Sequence, residues 1–285
     1  MSIEEENLRR IEASPSYRLA AQDLEFLNRA ELRPVRMQLE LLKPEMTLVE
    51  QGVRSTIVLF GGTQIADAAS AELRLSSARA ALAADPTSQL AARAVARAER
   101  LLAKAPYYDA ARAFARLATS SCQVNGECEY VIVTGGGPGI MEAGNRGAFD
   151  VNGKSIGLNI TLPAEQRPNP YITPELCFQF RYFALRKLHF LLRAKALVVF
   201  PGGFGTLDEL TDALTLRQTH RMQEIPIILY GRAFWDQVID FQFLADEGVI
   251  ADEHLDLITY AETPEEAWRQ ITEFHAARGA APVAK

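Results

Sequence analysis

The chain has 285 residues, of which 48% are hydrophobic and 23% are charged, a balance typical of a globular protein with a buried core. Its 36 acidic residues outnumber its 30 basic ones, so the formal charge of −6 excludes a global basic field that would attract nucleic acid or an anionic membrane. The 3 cysteines are odd in number and lack zinc-ligand spacing, so we expect neither a disulfide framework nor a metal site.

No apolar stretch reaches the roughly 18 residues that a membrane-spanning helix requires. The richest region, residues 190–200, is interrupted by Arg193 and Lys195. The first ten residues, MSIEEENLRR, are acidic and polar, whereas a secretory signal would begin with basic residues and continue with apolar ones. We therefore expect a cytoplasmic protein with no membrane partner.

We expect residues 1–52 to form an N-terminal helical extension made of several helices, with Pro15, Pro34 and Pro44 as helix boundaries or first helical residues. Residues 53–285 are expected to form one α/β domain. Within it, an Ala- and Arg-rich segment at about residues 66–105 predicts a helical insertion that packs on the sheet or on a second subunit.

Six short runs rich in β-branched and apolar residues predict strands. They lie at residues 56–60, 130–134, 155–160, 196–200, 225–230 and 255–260. Nearly continuous hydrophobicity is typical of parallel strands covered on both faces, and helical patterns separate most of the runs. The expected fold is therefore an α/β doubly wound parallel sheet. Four of the strands run into glycine at their carboxyl ends, where ligands bind in such sheets.

The second predicted strand leads into the glycine loop TGGGPG at residues 134–139. This loop superficially resembles a dinucleotide fingerprint. However, Glu142 stands where the last glycine should be, and the next strand lacks the acidic residue that would bind an NAD ribose. No Walker lysine follows either glycine loop of the chain. We expect no cofactor.

The strongest signal is the fourth predicted strand followed by PGGFGTLDE at residues 201–209 and a helical apolar pattern. Glycines at positions 202, 203 and 205 allow backbone N–H groups to approach an anion, and the following helix presents its free N–H groups and positive dipole end. This pattern predicts a phosphate site. A purely structural turn is the alternative, because glycine also ends strands.

Four motifs in this order carry a family resemblance. They are GGGPGIMEAGNRGA (135–148), SIGLNITLPAE (155–165), LRK (185–187) and PGGFGTLDELTDALT (201–215). Together they resemble the LOG family, the so-called lonely guy phosphoribohydrolases, which are often mislabelled lysine decarboxylases. The resemblance spans roughly residues 56–271 and, with the N-terminal extension and the insertion, indicates a long form.

The resemblance implies a Rossmann-like fold, a homo-oligomer, and hydrolysis of AMP or cytokinin riboside 5′-monophosphates to free base and ribose 5-phosphate. By position in the motifs, it implies that Arg186 and Glu209 are catalytic. Substrate or phosphate contacts are expected at Gly135, Gly136, Gly137, Glu165, Lys187, Gly202, Gly203, Gly205, Thr206 and Thr215.

The expected role of Glu209 can be argued from its chemistry. Cleavage of an N-glycosidic bond passes through an oxocarbenium-like state, which a nearby carboxylate stabilises. The alternative is structural, because Thr206-Leu-Asp-Glu209 also fits a capping box with Thr206 as the N-cap. Asp208 is expected to be a solvated acid in the first turn of the helix.

Arg186 lies on a predicted helix at residues 182–195 with Leu185, Leu188 and Leu192 on its apolar face. The arginine fork can bind phosphate or ribose oxygens bidentately, and Lys187 would add a point charge. The alternative for Arg186 is a place at the solvated edge of the helix.

Two other functions compete with hydrolysis. The first is a non-catalytic nucleotide or molybdenum-cofactor carrier on the same fold, which fold alone does not distinguish from an enzyme. The pairing of Arg186 with Glu209 beside a phosphate loop favours catalysis, because a carrier needs no carboxylate at an anomeric carbon. The second is a decarboxylase, which is disfavoured because no lysine has a convincing Schiff-base setting.

Overall fold

The computed structural model describes residues 1–123, 128–162 and 167–279. The chain divides into two compact units, Met1–Glu45 and Met46–Lys285. In chain order, the helices up to the first strand are α1 (Ile3–Ala13), α2 (Leu24–Leu27) and α3 (Arg33–Glu50). Pro44 lies inside α3, so the expectation that it marks a helix boundary is wrong.

The remaining elements alternate between strands and helices. They are β1 (Thr56–Phe60), α4 (Ala68–Ala84), α5 (Gln89–Leu102), α6 (Ala105–Cys122), β2 (Val131–Thr134), α7 (Ile140–Phe149), β3 (Ser155–Ile160), β4 (Cys177–Phe180), α8 (Phe183–Leu192), β5 (Ala194–Val199), α9 (Phe204–Gln218), β6 (Ile227–Tyr230), α10 (Arg232–Val238), α11 (Phe241–Asp246), β7 (Ile258–Ala261) and α12 (Pro264–Ala277). Helices α4 and α5 occupy the segment between β1 and α6 where the insertion is expected.

The strands form one parallel sheet of 7 strands in the order β4-β3-β2-β1-β5-β6-β7. From β1 the chain winds through β2 and β3 to one edge, and from β5 it winds through β6 to the other. Strands β1 and β5 are therefore neighbours at the point where the winding reverses. Open α/β sheets bind ligands at the carboxyl ends of strands at such a point. The predicted doubly wound, Rossmann-like fold is confirmed.

Apolar side chains fill both faces of the sheet, which explains the nearly continuous hydrophobicity of the strands. On one face, Val58 and Val199 belong to the same core cluster as Phe190 of α8 and Leu210 of α9. On the other face, the cluster includes side chains of α6, α7 and α12. Close packing in these two clusters makes the strand ends rigid, and those strand ends carry the glycine loops.

The six predicted strands each overlap a strand of the structure, but β4 is missing from the prediction. β4 is an edge strand of 4 residues, and only Phe178 and Phe180 among them are buried. None of the described helices is long and apolar enough to cross a membrane.

Candidate active site

A cavity of about 370 Å³ opens at the carboxyl ends of β1, β2, β3 and β5. Its volume falls in the range of roughly 300–1,000 Å³ found for small-molecule sites. Residues 203–206, at the start of α9, form one wall, and Gly61 and Gly62 after β1 form another. Arg186 and Glu209 both line this cavity. The cavity therefore lies at the topological position expected for a ligand site.

The N-terminus of α9 opens into the cavity. The helix begins at Phe204, its N-cap residue is Gly203, and no side chain caps it. The first intrahelical bond after the cap runs from the Leu207 N–H to the Gly203 carbonyl, so the N–H groups of residues 204–206 precede the backbone ladder. Backbone N–H groups in this arrangement bind anions, assisted by the positive end of the helix dipole.

The capping-box alternative for Glu209 is wrong. Because α9 begins at Phe204, Thr206 is already inside the first turn and Glu209 lies in the second turn. A side chain in the second turn is beyond the N-cap that a capping box would satisfy. Glu209 therefore does not cap this helix.

Glu209 is nearly buried, with a relative exposure of 9%. Burial raises the pKa of its carboxyl to about 7, because the charged form loses solvation. The charges of Arg186 and Lys187 lower this pKa, while the carboxylates of Asp208 and Asp212 raise it further. Near neutral pH the Glu209 side chain therefore exists in both its protonated and its ionised form.

Arg186 is held from two sides. Its Nε donates a hydrogen bond to the Leu158 carbonyl of β3 at 2.8 Å, and its guanidinium carbon lies 5.2 Å from the centre of the Phe190 ring. Burial lowers the pKa of Arg186, but an arginine stays cationic at neutral pH. The alternative of a solvated helix edge does not describe this side chain.

Gly135 makes room for Arg186. A Cβ atom at position 135 would lie 2.5 Å from the Arg186 Nη2 and 2.8 Å from the Met141 sulfur. Any side chain at this position would therefore displace the guanidinium. Because Gly135 has no side chain, it leaves space for the guanidinium; it also lines the cavity, and its expected contact with phosphate stays a prediction.

Lys187 and Asp208 form an ion pair, with 2.8 Å between Nζ and Oδ1. Asp208 lines the cavity, whereas Lys187 lies beside it on α8. Asp208 is exposed, as expected of a solvated acid, but it lies in the second turn of α9 rather than the first. Pairing with Lys187 offsets a negative charge that would otherwise repel a phosphate at the start of α9.

The structure brings half of the predicted site residues to the cavity wall. These are Gly135, Arg186, Gly203, Gly205, Thr206 and Glu209. The others described lie off that wall: Gly136 and Gly137 are buried beneath it, Lys187 pairs with Asp208, Gly202 packs against the Thr206 side chain, and Thr215 is exposed and donates to the Thr211 carbonyl. Glu165 lies outside the described residues.

The sequence analysis missed several residues that line the cavity. Asn159, the second-last residue of β3, lies beside the glycine loop, and Met141, Leu162 and Phe183 add apolar surface. Their positions after strand ends and at a helix start are the one signal that could have identified them. Among the described residues, no group of three or more His, Cys, Asp or Glu side chains could hold a metal ion.

Residues 141–271, just under half of the chain, match a family model described as "Possible lysine decarboxylase". LOG proteins often carry that label, so the match supports the resemblance, and it includes both Arg186 and Glu209. No curated protein matches the chain significantly in sequence.

Solved structures with a similar fold include two proteins of related description. The molybdenum cofactor binding protein of the phototrophic bacterium Rippkaea orientalis has a TM-score of 0.42 and 20% sequence identity, over 59% of this chain and 87% of that one. The Moco carrier protein of Chlamydomonas reinhardtii has a TM-score of 0.44 and 15% identity, over 78% of this chain and 100% of that one. Neither similarity is close enough to assign a function.

Proposed function

We propose that the protein hydrolyses the N-glycosidic bond of nucleoside 5′-monophosphates. Water adds across the bond between C1′ and the base: hydroxide joins C1′ to give ribose 5-phosphate, and a proton goes to the base nitrogen. The observation that carries this proposal is the presence of Arg186 and the buried Glu209 in one cavity with an uncapped helix N-terminus.

The substrate phosphate binds at the start of α9. Residues 203–206 line the cavity and supply backbone N–H groups there. Two features reduce repulsion of the phosphate dianion: Asp208 is paired with Lys187, and the Arg186 guanidinium adds a positive charge. Binding at this point fixes one end of the substrate and orients the sugar within the cavity.

Glu209 acts on the anomeric carbon. Its side chain lies one helical turn beyond the phosphate-binding N–H groups, so a ribose bound by its phosphate extends past it. As a carboxylate it stabilises the positive charge that develops at C1′ and orients the attacking water. Arg186 lowers the pKa of Glu209, and this favours the ionised form that the reaction needs.

The base occupies the apolar part of the cavity. Met141, Ile160, Leu162 and Phe183 supply that surface, and Asn159 adds an amide that can hydrogen-bond a base edge or a sugar hydroxyl. We propose adenine or an N6-prenylated adenine as the base, in accordance with the family resemblance. An apolar surface accommodates either, so the choice between them is left to measurement.

Incubation of the purified protein with a panel of purine and pyrimidine 5′-monophosphates, including AMP and cytokinin riboside 5′-monophosphates, tests the proposal. We expect free base to appear on chromatography, and the panel ranks the bases. Tight binding of a nucleotide or of molybdenum cofactor without release of base would instead favour the carrier alternative. Consumption of lysine with release of carbon dioxide would favour a decarboxylase.

A further inference from the structure

A buried hydrogen-bond network lies directly beneath the glycine loop that follows β2. Its members are the side chains of Thr134, Asn145, Ser155 and Asn169, and all four are buried. The Thr134 hydroxyl donates to Asn145 Oδ1 at 2.7 Å, and Asn145 Nδ2 donates to Ser155 Oγ at 3.0 Å. None of these residues was among the predicted site residues.

Asn169 ties this network to the backbone of the loop. Its N–H donates to the Gly136 carbonyl at 2.9 Å, and its side-chain Nδ2 donates to the Gly137 carbonyl at 3.1 Å. The same Nδ2 donates to Asn145 Oδ1 at 2.9 Å, and Asn169 Oδ1 accepts the Tyr171 N–H at 3.2 Å. One side chain therefore binds the loop, helix α7 and its own segment.

The two amides have no freedom to turn. Asn145 Oδ1 accepts from both Thr134 and Asn169, while its Nδ2 donates to Ser155 and to the Ile156 carbonyl. An amide offers two donor hydrogens and one acceptor oxygen, and here both amides use all of them. Rotation of either amide would place donor against donor or acceptor against acceptor inside the core, which is costly.

The loop that this network fixes is the surface on which Arg186 rests. Gly135 immediately precedes the two carbonyls bound by Asn169, and its missing side chain leaves the space that the Arg186 Nη2 occupies. The Gly136 N–H also binds the Thr134 hydroxyl at 3.0 Å, which turns it inward. A shift of the loop by part of an ångström would therefore move or crowd the guanidinium.

We propose that Asn169 is a positioning residue for Arg186 and acts through the Gly135–Gly137 loop. The inference rests on the proposed hydrolysis, because it assigns Asn169 an effect on the rate of that reaction. Asn169 touches neither the cavity nor the substrate; it fixes the wall against which the catalytic arginine is aligned.

Asn169→Ala should lower kcat for AMP about 10- to 100-fold, because misplacement of a catalytic group by about 1 Å can cost roughly that factor. KM should change by less than about threefold, since the phosphate-binding start of α9 makes no contact with the network. Asn169→Ser removes the same donor with a smaller loss of volume and should behave alike if the alanine variant folds poorly.

Gln123→Ala is the matched control. The Gln123 amide also binds backbone: it accepts from the Lys154 N–H at 2.7 Å and donates to the Lys154 carbonyl at 2.9 Å, at the amino end of β3 and away from the cavity. Both variants should lower the melting temperature, but only the Asn169 variants should lower kcat. Equal kcat values in the Asn169 and Gln123 variants would overturn the inference.

A double-mutant cycle separates positioning of Arg186 from general loosening of the site. In an Arg186→Lys background the guanidinium is already gone, so Asn169→Ala should cost less than about threefold further in kcat. A full 10- to 100-fold further loss would show that Asn169 acts on something other than Arg186 and would overturn the inference.

The pH dependence of kcat/KM provides a second test, which does not require an active Arg186→Lys variant. If the guanidinium moves away from Glu209, the acid limb of kcat/KM should shift to higher pH in Asn169→Ala and stay in place in Gln123→Ala. An unshifted limb would contradict the inference. A parent protein that releases no base from any nucleotide would refute the proposed function itself, whereas an active parent with unaffected Asn169 variants would refute this inference alone.

Discussion

Glu209 is a buried carboxyl group whose negative charge is poorly solvated in the folded protein. Its burial raises its pKa to about 7, so ionisation above that pH works against folding. The same poorly solvated setting strengthens its interaction with a positive charge that develops nearby. Stability and catalysis therefore place opposite demands on this residue.

Glu209→Gln should separate these demands. The amide cannot supply a full negative charge, so we expect hydrolysis of AMP to slow roughly 10²- to 10³-fold. Because folding raises the pKa of Glu209, the folded state holds its proton more tightly than the unfolded state does. This preference stabilises the fold fully below the unfolded pKa of 4.5 and is lost as the pH rises through about 7. The variant should melt at a higher temperature than the parent at pH 8, and the gap should narrow towards pH 5. Thermal melts and base release on the same sample check both statements, and parental activity in the variant would contradict a catalytic role.

The pH dependence of turnover should report the same group. We expect kcat/KM for AMP to rise with pH and level off above about 7, as Glu209 ionises. Asp208→Asn removes a charge that raises this pKa and also frees Lys187, which lowers it, so the limb should move to lower pH. A limb that stays in place in Asp208→Asn, or that persists in Glu209→Gln, would mean that another group titrates.

Single residues were predicted from motif position, and their environments were not. The sequence identified Arg186 and Glu209 as a pair, and the structure places both on one cavity. The sequence could not show that Gly135 leaves space for the Arg186 guanidinium, or that Asp208 is paired with Lys187. Such facts depend on contacts between β2, α8 and α9, elements that are distant in the chain.

In the proposed reaction, helix α9 selects ligands that carry a phosphate. Its start offers N–H groups to an anion, and that interaction exists only when the ligand carries a phosphate. The selectivity should therefore appear as a difference between a nucleotide and its nucleoside.

We expect kcat/KM for adenosine to be at least about 100-fold lower than for AMP, because the phosphate interactions both bind the substrate and orient it. Parallel progress curves with the two substrates measure the ratio. Inorganic phosphate should inhibit AMP hydrolysis competitively, since it occupies the same N–H groups. Equal turnover of adenosine and AMP would contradict a phosphate site at α9.

The elements themselves were largely predictable because buried parallel strands carry a strong hydrophobic signal. The start of helix α9 and the whole of strand β4 were not predicted, and each has a physical reason. α9 begins at Phe204 rather than at a Ser, Thr, Asp or Asn N-cap, so local capping rules placed its start too late. β4 is a short edge strand whose pairing with β3 is a tertiary interaction, and its 4 residues contain no long apolar run to mark it.

The domain should function as a homo-oligomer, as the family resemblance implies. A groove of about 550 Å³ runs between α8 and α9 and includes Leu188 and Leu192, which are 42% and 43% exposed. The apolar face expected for this helix therefore includes two leucines that a single chain leaves partly exposed. A second copy of the chain that covers this groove would remove their apolar surface from water.

Light scattering at micromolar concentration should show at least a dimer. Leu188→Asp with Leu192→Asp should shift the protein towards monomer, because a charge in an apolar interface is poorly solvated. Val249→Asp changes an exposed apolar residue outside both this groove and the helical insertion, and should leave the mass unchanged. A monomeric parent with full activity would contradict the oligomer.

For the whole molecule, the sequence predicted the fold class because alternating strands and helices indicate a parallel sheet with helices on its faces. The helical extension at the N-terminus carries no chemical motif from which a role could be argued.

In the proposed reaction, the residues of the cavity cleave the bond between ribose and base. The most direct measurement is the simultaneous quantification of free adenine and ribose 5-phosphate after incubation of the purified protein with AMP. We predict that the two products appear in equal amounts, that they accumulate catalytically over many turnovers, and that Glu209→Gln abolishes most of their formation. Retention of intact AMP by the parent protein, bound but never cleaved, would contradict the claim.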